Sequence, residues 1–169
     1  MVLETERLFL REMKVNDFDA LCMIMQDEET MTAYEGAFND QEVQAWLENQ
    51  LVRYKRWEFG LWAVVLKENG EMIGQCGLTM QPWNGKEVLE IGYLFNRKYW
   101  HQGFATEAAR AVKQYAFDVL KASEVCSIIR DTNTASQNVA VRNGMKPADT
   151  MIKHYRGVDM PHTRYVVRS

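Results

Sequence analysis

The sequence predicts an α+β fold in which one mixed, mostly antiparallel sheet carries about four helices. Three observations lead there. Leu61–Leu66, Met72–Thr79 and Glu87–Phe95 are runs of strand formers parted by short polar turns, the pattern of antiparallel neighbours. From Gly103 onward the pattern changes, and Ala105, Ala108, Val112, Tyr115, Ala116 and Val119 form the one-sided stripe of an amphipathic helix. A buried strand, Val125–Ile129, then follows, so the helix serves as a crossover between parallel strands.

The elements read in order along the chain. Arg7–Arg11 alternates weakly and opens as a strand. Asp17–Met25 reads as a short helix with Asn16 as its N-cap. Asp40 caps a longer helix to about Trp57, with Val43, Trp46, Leu47, Leu51 and Tyr54 at helical spacing. Glu68-Asn69-Gly70-Glu71 is a hairpin turn whose Asn-Gly predicts type I′ geometry. A second turn falls around Asn84-Gly85-Lys86. Gly74 and Gly77 mark places where backbone or ligand approaches closely. Ala135–Asn143 is a helix closed by Gly144, and the tail to Arg168 adds one or two strands.

Bulk properties exclude several classes of protein. The 169 residues show no repeat, linker or composition break, so 1–169 is expected to be a single domain. A net charge of -3 gives neither the basic face that nucleic acid requires nor an attraction to anionic membranes. No run of about 18 apolar residues appears. The N-terminus lacks the apolar stretch of a signal peptide, and Cys22, Cys76 and Cys126 have no pairing pattern. A cytoplasmic protein with free thiols is the expectation.

The segment Glu90–Ala108 carries the chemistry. A strand runs through a short loop into a helix opening at Gly103. The first turn of a helix has unpaired N–H groups and a partial positive charge, which suit phosphate. Gly103 and Ala105 let an anion approach, and Thr106 adds a hydroxyl.

Trp100-His-Gln-Gly-Phe-Ala105, after Gly92-Tyr-Leu-Phe95, resembles the pyrophosphate loop of GNAT acetyltransferases. Trp100 replaces the family's leading Arg or Gln, a wording similar to the RimJ/RimL-like ribosomal-protein N-terminal acetyltransferases. Thr5–Arg11, Ile73–Leu78 and Asn133–Met145 resemble other segments of that branch, in order and at matching spacing.

The resemblance implies the GNAT fold, with the parallel strands Val88–Phe95 and Glu124–Arg130 splayed apart. It implies acetyl-CoA as co-substrate, its pantetheine arm along Tyr93, Leu94 and Phe95. The pyrophosphate would lie on Trp100, His101, Gln102, Gly103, Phe104, Ala105 and Thr106. Asn133 is either a plain N-cap or a cap that also touches the coenzyme, and Ser136 lies one turn on. Glu90 sits where the family often has a carboxylate; it is either the base that deprotonates the amine or a salt-bridged strand residue. An oxyanion donor is expected near Leu94 or Phe95. Ala140 falls where many members have the tyrosine that protonates the thiolate, leaving Ser136 as donor. Tyr34, Glu35 and Phe38 are candidates for acceptor recognition.

Other residues offer little. His154 and His162 lack metal-ligand partners, and Cys76 has no His or Asp to activate it. The expected partners are acetyl-CoA and an amine acceptor, either a protein N-terminus or a small molecule. Neither metal, nucleic acid nor membrane is expected, and the protein would be a monomer or homodimer. The competing reading is a non-catalytic acyl-CoA-binding module.

Overall fold

The computed structural model describes residues 1–169. Its strands are β1 (Leu3–Glu4), β2 (Leu8–Arg11), β3 (Leu61–Leu66), β4 (Met72–Trp83), β5 (Lys86–Phe95), β6 (Glu124–Arg130), β7 (Lys146–Tyr155) and β8 (Val158–Arg168). Its helices are α1 (Phe18–Met25), α2 (Asp40–Trp57), α3 (Phe104–Asp118) and α4 (Thr134–Arg142). All eight strands join one sheet in the order β1-β2-β3-β4-β5-β6-β8-β7.

The sheet is antiparallel except where β5 meets β6. There a single backbone pair, Glu90 with Cys126, precedes the divergence of the strands. This is the expected splayed pair. Side chains bridge it: Ser127 Oγ donates to the Ile91 carbonyl at 2.8 Å, and the Ile128 N–H donates to Glu90 Oε2 at 3.2 Å.

Register assigns the faces. Cross-strand partners share a face and neighbours along a strand alternate. Trp62 pairs with Cys76, and Ala63 with Gln75. Trp62 packs edge-on against Tyr115 of α3, whereas Gln75 accepts the Trp46 indole N–H from α2 at 2.8 Å. The two helices therefore cover opposite faces. The core between them holds Leu8, Leu10, Trp62, Val64, Ile73 and Leu78. Gly77 is required by close approach: a Cβ there would lie 2.0 Å from the Gly60 carbonyl oxygen.

Local details correct the sequence reading. Asn16 does not cap α1. A 3-10 turn, Val15–Asp17, precedes the helix, and Asp17 accepts the Lys14 N–H at 2.7 Å and both guanidinium nitrogens of Arg11. Asn39, one residue before the expected Asp40, caps α2 and forms a capping box with Glu42. The type I′ turn is not at Asn69-Gly70, where only Gly70 has positive φ. There Asn69 Oδ1 takes the Glu71 N–H and the loop is wider. Asn84 and Gly85 have φ of 47° and 77°, the left-handed pair that type I′ requires. The tail forms two strands turning at Arg156-Gly157, and β8 inserts between β6 and β7.

Candidate active site

Two adjoining cavities, of about 380 and 340 Å³, lie along the splay. Thr30, Ala33, Tyr93, Leu94, Asn133 and Ser136 line both. The two volumes thus meet at the divergence of β5 and β6, beside the start of α4.

The second cavity contains the phosphate-loop candidates Trp100, His101, Gly103, Phe104, Ala105 and Thr106. The loop reverses tightly, with φ of 61° at His101 and 82° at Gly103. The Trp100 indole N–H donates to the Phe95 carbonyl at 2.9 Å and ties the loop to the end of β5. Gln102 is the exception to the expected set. It lies outside the cavity lining, and its carbonyl accepts from Arg7 at 3.0 Å.

The turn between β1 and β2 fixes this end of α3. Glu107 accepts from Thr5 Oγ1 at 2.6 Å, the Arg7 N–H at 3.0 Å and Arg7 Nε at 2.7 Å. The Arg7 guanidinium also lies 4.2 Å from the centre of the Phe104 ring. Burial opposes ionisation of Glu107, but the bonds from Thr5 and Arg7 outweigh it and hold its pKa below the ordinary value.

Thr106 is positioned to meet a coenzyme phosphate. Its Oγ1 is buried in the first turn of α3 without a hydrogen-bond partner, beside free helix-start amides. Such a donor suits an anion. Arg7, Arg110 and Arg142 rim a further hollow at the same helix end, and neither Arg110 nor Arg142 has a carboxylate partner within 4 Å. The loop therefore fits a polyphosphate.

Backbone along β5 is available in part. Asn96 N–H donates to the Ile73 carbonyl at 2.9 Å, and the antiparallel alternation assigns Leu94, partner of Gln75, to the same edge. Tyr93 and Phe95 turn their amides toward the splay; Leu94 contributes only its side chain. Of the two residues expected near the oxyanion, Leu94 or Phe95, it is Phe95 whose amide faces the splay.

At α4, Asn133 acts as the N-cap, its Oδ1 accepting the Ser136 N–H at 3.2 Å, with its amide nitrogen free. The Tyr93 hydroxyl donates to the Ser136 carbonyl at 2.8 Å. Burial raises the Tyr93 pKa, so the phenol stays protonated. Ala140 is buried and lines neither cavity.

The first cavity contains Glu90, on the α2 face of β5 with Gly92 and Leu94. Gly92 keeps this floor low, since a Cβ would stand 3.3 Å from Leu61 and 3.7 Å from Glu90 Oε1. Burial raises the Glu90 pKa to about 7, partly countered by Lys153, the Ile128 N–H and Arg53. No cation lies within 4 Å of Glu90; Lys153 and Arg53 act on it from farther away.

Of the acceptor candidates, Tyr34 lines the cavity and burial raises its pKa to about 12. Phe38 lies behind it, in an edge-on cluster with Tyr34 and Trp46. Glu35 pairs with Arg130 at 2.5 Å. Cys76 is fully buried, and burial pushes its thiol pKa up. Arg53 and Lys153 also line the cavity and escaped the sequence reading. Arg53 could have been found there, because it continues the inward stripe Trp46, Gln50, Arg53 of α2 at i, i+4, i+7. Lys153 had no such signal. No helix is long and apolar enough to cross a membrane, and no three His, Cys, Asp or Glu side chains cluster as metal ligands would.

A splayed strand pair opening beside a small-residue helix start defines a coenzyme-binding acyltransferase fold. Residues 7–146 match the acetyltransferase (GNAT) domain model, and the chain belongs to that family. It is 35% identical over 140 residues to an uncharacterized N-acetyltransferase, p20, of Bacillus licheniformis, covering 79% of this chain and 76% of that one. It is 34% identical over 152 residues to YkkB of Bacillus subtilis strain 168, covering 89% and 88%. A GNAT-family acetyltransferase structure from Bacillus anthracis superposes with a TM-score of 0.84 at 23% identity, covering 99% and 98%. RimL, a ribosomal L7/L12 α-N-protein acetyltransferase solved with coenzyme A, superposes at 0.81 with 16% identity, covering 99% and 97%. The chain is therefore an acyltransferase of the N-acetyltransferase type, which disfavours the non-catalytic binding module.

Proposed function

We propose that this enzyme moves the acetyl group of acetyl-CoA to a primary amine by direct attack within a ternary complex. The observation that carries the reading is the meeting of two cavities at Tyr93, Leu94 and Ser136. A loop suited to phosphate lies on one side and a carboxyl with a pKa of about 7 on the other.

Acetyl-CoA supplies the thioester carbonyl that the amine attacks. Thr106, Gly103 and the neighbouring helix-start amides would bind its pyrophosphate, with Trp100 holding their loop in place. Arg110 and Arg142 offer charge to the remaining phosphate. The amides of Tyr93 and Phe95 would pair with the amide-bearing arm and meet the developing oxyanion. Glu90 takes the proton from the acceptor amine as the N–C bond forms. Ser136 or water returns a proton to the sulfur as the C–S bond breaks. The tuned carboxyl suits this work because a base with a pKa near the operating pH transfers protons best.

The resemblance of the loop to RimJ/RimL-like enzymes supports protein N-termini as candidate acceptors beside small-molecule amines. The three free cysteines fit a reducing, cytoplasmic setting, as monomer or homodimer. The test is thiol release from acetyl-CoA over a panel of amines, with the acetylated product identified by mass spectrometry. Amine-dependent release with no acetylated protein supports direct attack. An acetyl group trapped on Cys76, or no release with any amine, would overturn it.

A further inference from the structure

The charges facing the acceptor cavity do not balance. Arg53 of α2, Lys153 of β7 and Glu90 of β5 all line it, from three separate elements. Arg130 lines it as well, but Glu35 neutralises that guanidinium. His154 pairs with Asp159 near the β7–β8 turn, and burial holds the His162 pKa below its ordinary value, leaving it neutral at pH 7. The only hydrogen bond from the Arg53 guanidinium goes to the neutral Oε1 of Gln50, at 3.2 Å. Neither Arg53 nor Lys153 has a carboxylate within 4 Å. The free charge is thus two cations against one carboxyl, whose ionisation burial opposes.

A half-buried guanidinium without a counter-ion is costly to keep, unless something brings the anion. Its planar fork matches a carboxylate or phosphate. A polycationic acceptor would meet like charge on two walls.

We propose that the acceptor is an amine that also carries a carboxylate or phosphate, its anion held by Arg53 and Lys153 while its amine faces Glu90. This rests on the acetyltransferase reading and names the substrate class that reading leaves open. The volume of about 380 Å³ accommodates a molecule of amino-acid size. A peptide whose second residue is acidic presents the same chemistry, and the assay separates the two sources.

The experiment compares β-alanine and phosphoethanolamine with β-alaninamide, ethanolamine, spermidine and a Ser-Glu peptide. Acetylation kinetics are measured alongside calorimetric binding to the enzyme saturated with CoA. The anionic amines should exceed their neutral counterparts in kcat/KM, and bind more tightly, by at least about tenfold, with spermidine weakest. Arg53→Gln and Lys153→Gln should each raise KM for the anionic amines about tenfold more than KM for ethanolamine, with Arg53→Lys restoring part. A stronger effect on the peptide than on β-alanine would assign the anion to a protein N-terminus within the same chemistry. Equal or preferred use of the amide or spermidine overturns the acceptor class even if acetylation proceeds. Preferential binding of anionic amines without any turnover would support the anion site at Arg53 and Lys153 and refute the proposed transfer to the amine instead.

Discussion

Replacing Glu90 by Gln tests the proposed base directly. The change is nearly isosteric, and the carboxamide oxygen can still accept the Ile128 N–H that Glu90 Oε2 now takes at 3.2 Å. The bridge across the splay therefore persists, and the variant should fold. What is lost is a proton acceptor whose pKa burial has moved from 4.5 to about 7. General base catalysis contributes about 10²–10⁴-fold, or about 3–5 kcal/mol of barrier, so kcat should fall by that order. The affinity for acetyl-CoA should not change, because Glu90 lines only the acceptor cavity. The sign of the pH dependence follows from the direction of the shift. Below about pH 7 the carboxyl is protonated and cannot accept, so wild-type kcat/KM should rise about tenfold per pH unit and level off above 7. An acceptor amine of low pKa keeps its own titration out of this range. The same shift makes the folded protein prefer the protonated form. The Glu90 contribution to stability is full below pH 4.5 and declines as pH rises toward 7. That decline should vanish in the Gln variant. Full kcat in Glu90→Gln, or an acid limb that survives the substitution, would refute the reasoning.

Three further outcomes are expected. Thr106→Val removes the one unpartnered hydroxyl at the start of α3 and should weaken CoA binding by about tenfold in calorimetry while leaving the melting temperature nearly unchanged. Gly77→Ala places a Cβ 2.0 Å from the Gly60 oxygen and 2.9 Å from the Leu61 Cα, both backbone, so denaturant melts should show a loss of about 3 kcal/mol or more. Glu107→Gln weakens the ties to Thr5 and Arg7. Since the folded-state pKa of Glu107 is depressed, its contribution is present above about pH 4.5 and lost as pH falls through the depressed value. Wild type should therefore lose more stability than the variant on acidification to pH 3.

Much of the fold was legible because its signals are local. The apolar stripe after Gly103, the strand runs around residues 61–95 and the Asn133 and Gly144 caps depend on neighbours a few residues away, and the structure has them in place. Local signals also misled where two chemistries share one dipeptide. Asn69-Gly70 and Asn84-Gly85 read alike, yet only the second takes the left-handed pair.

The amino-acid sequence by itself determined which elements form, where the helix that suits phosphate begins, and which carboxyl stands on the splayed strand. It did not determine the strand order β6-β8-β7, nor that Lys153, 63 positions beyond Glu90, lines the acceptor cavity from β7. Nor could it show that Thr106 lacks a partner, that the Leu94 amide faces away from the splay, or that Arg53 and Lys153 lack carboxylates. Burial, pairing and pKa are sums over neighbours distant in sequence, and those neighbours exist only once the chain has packed.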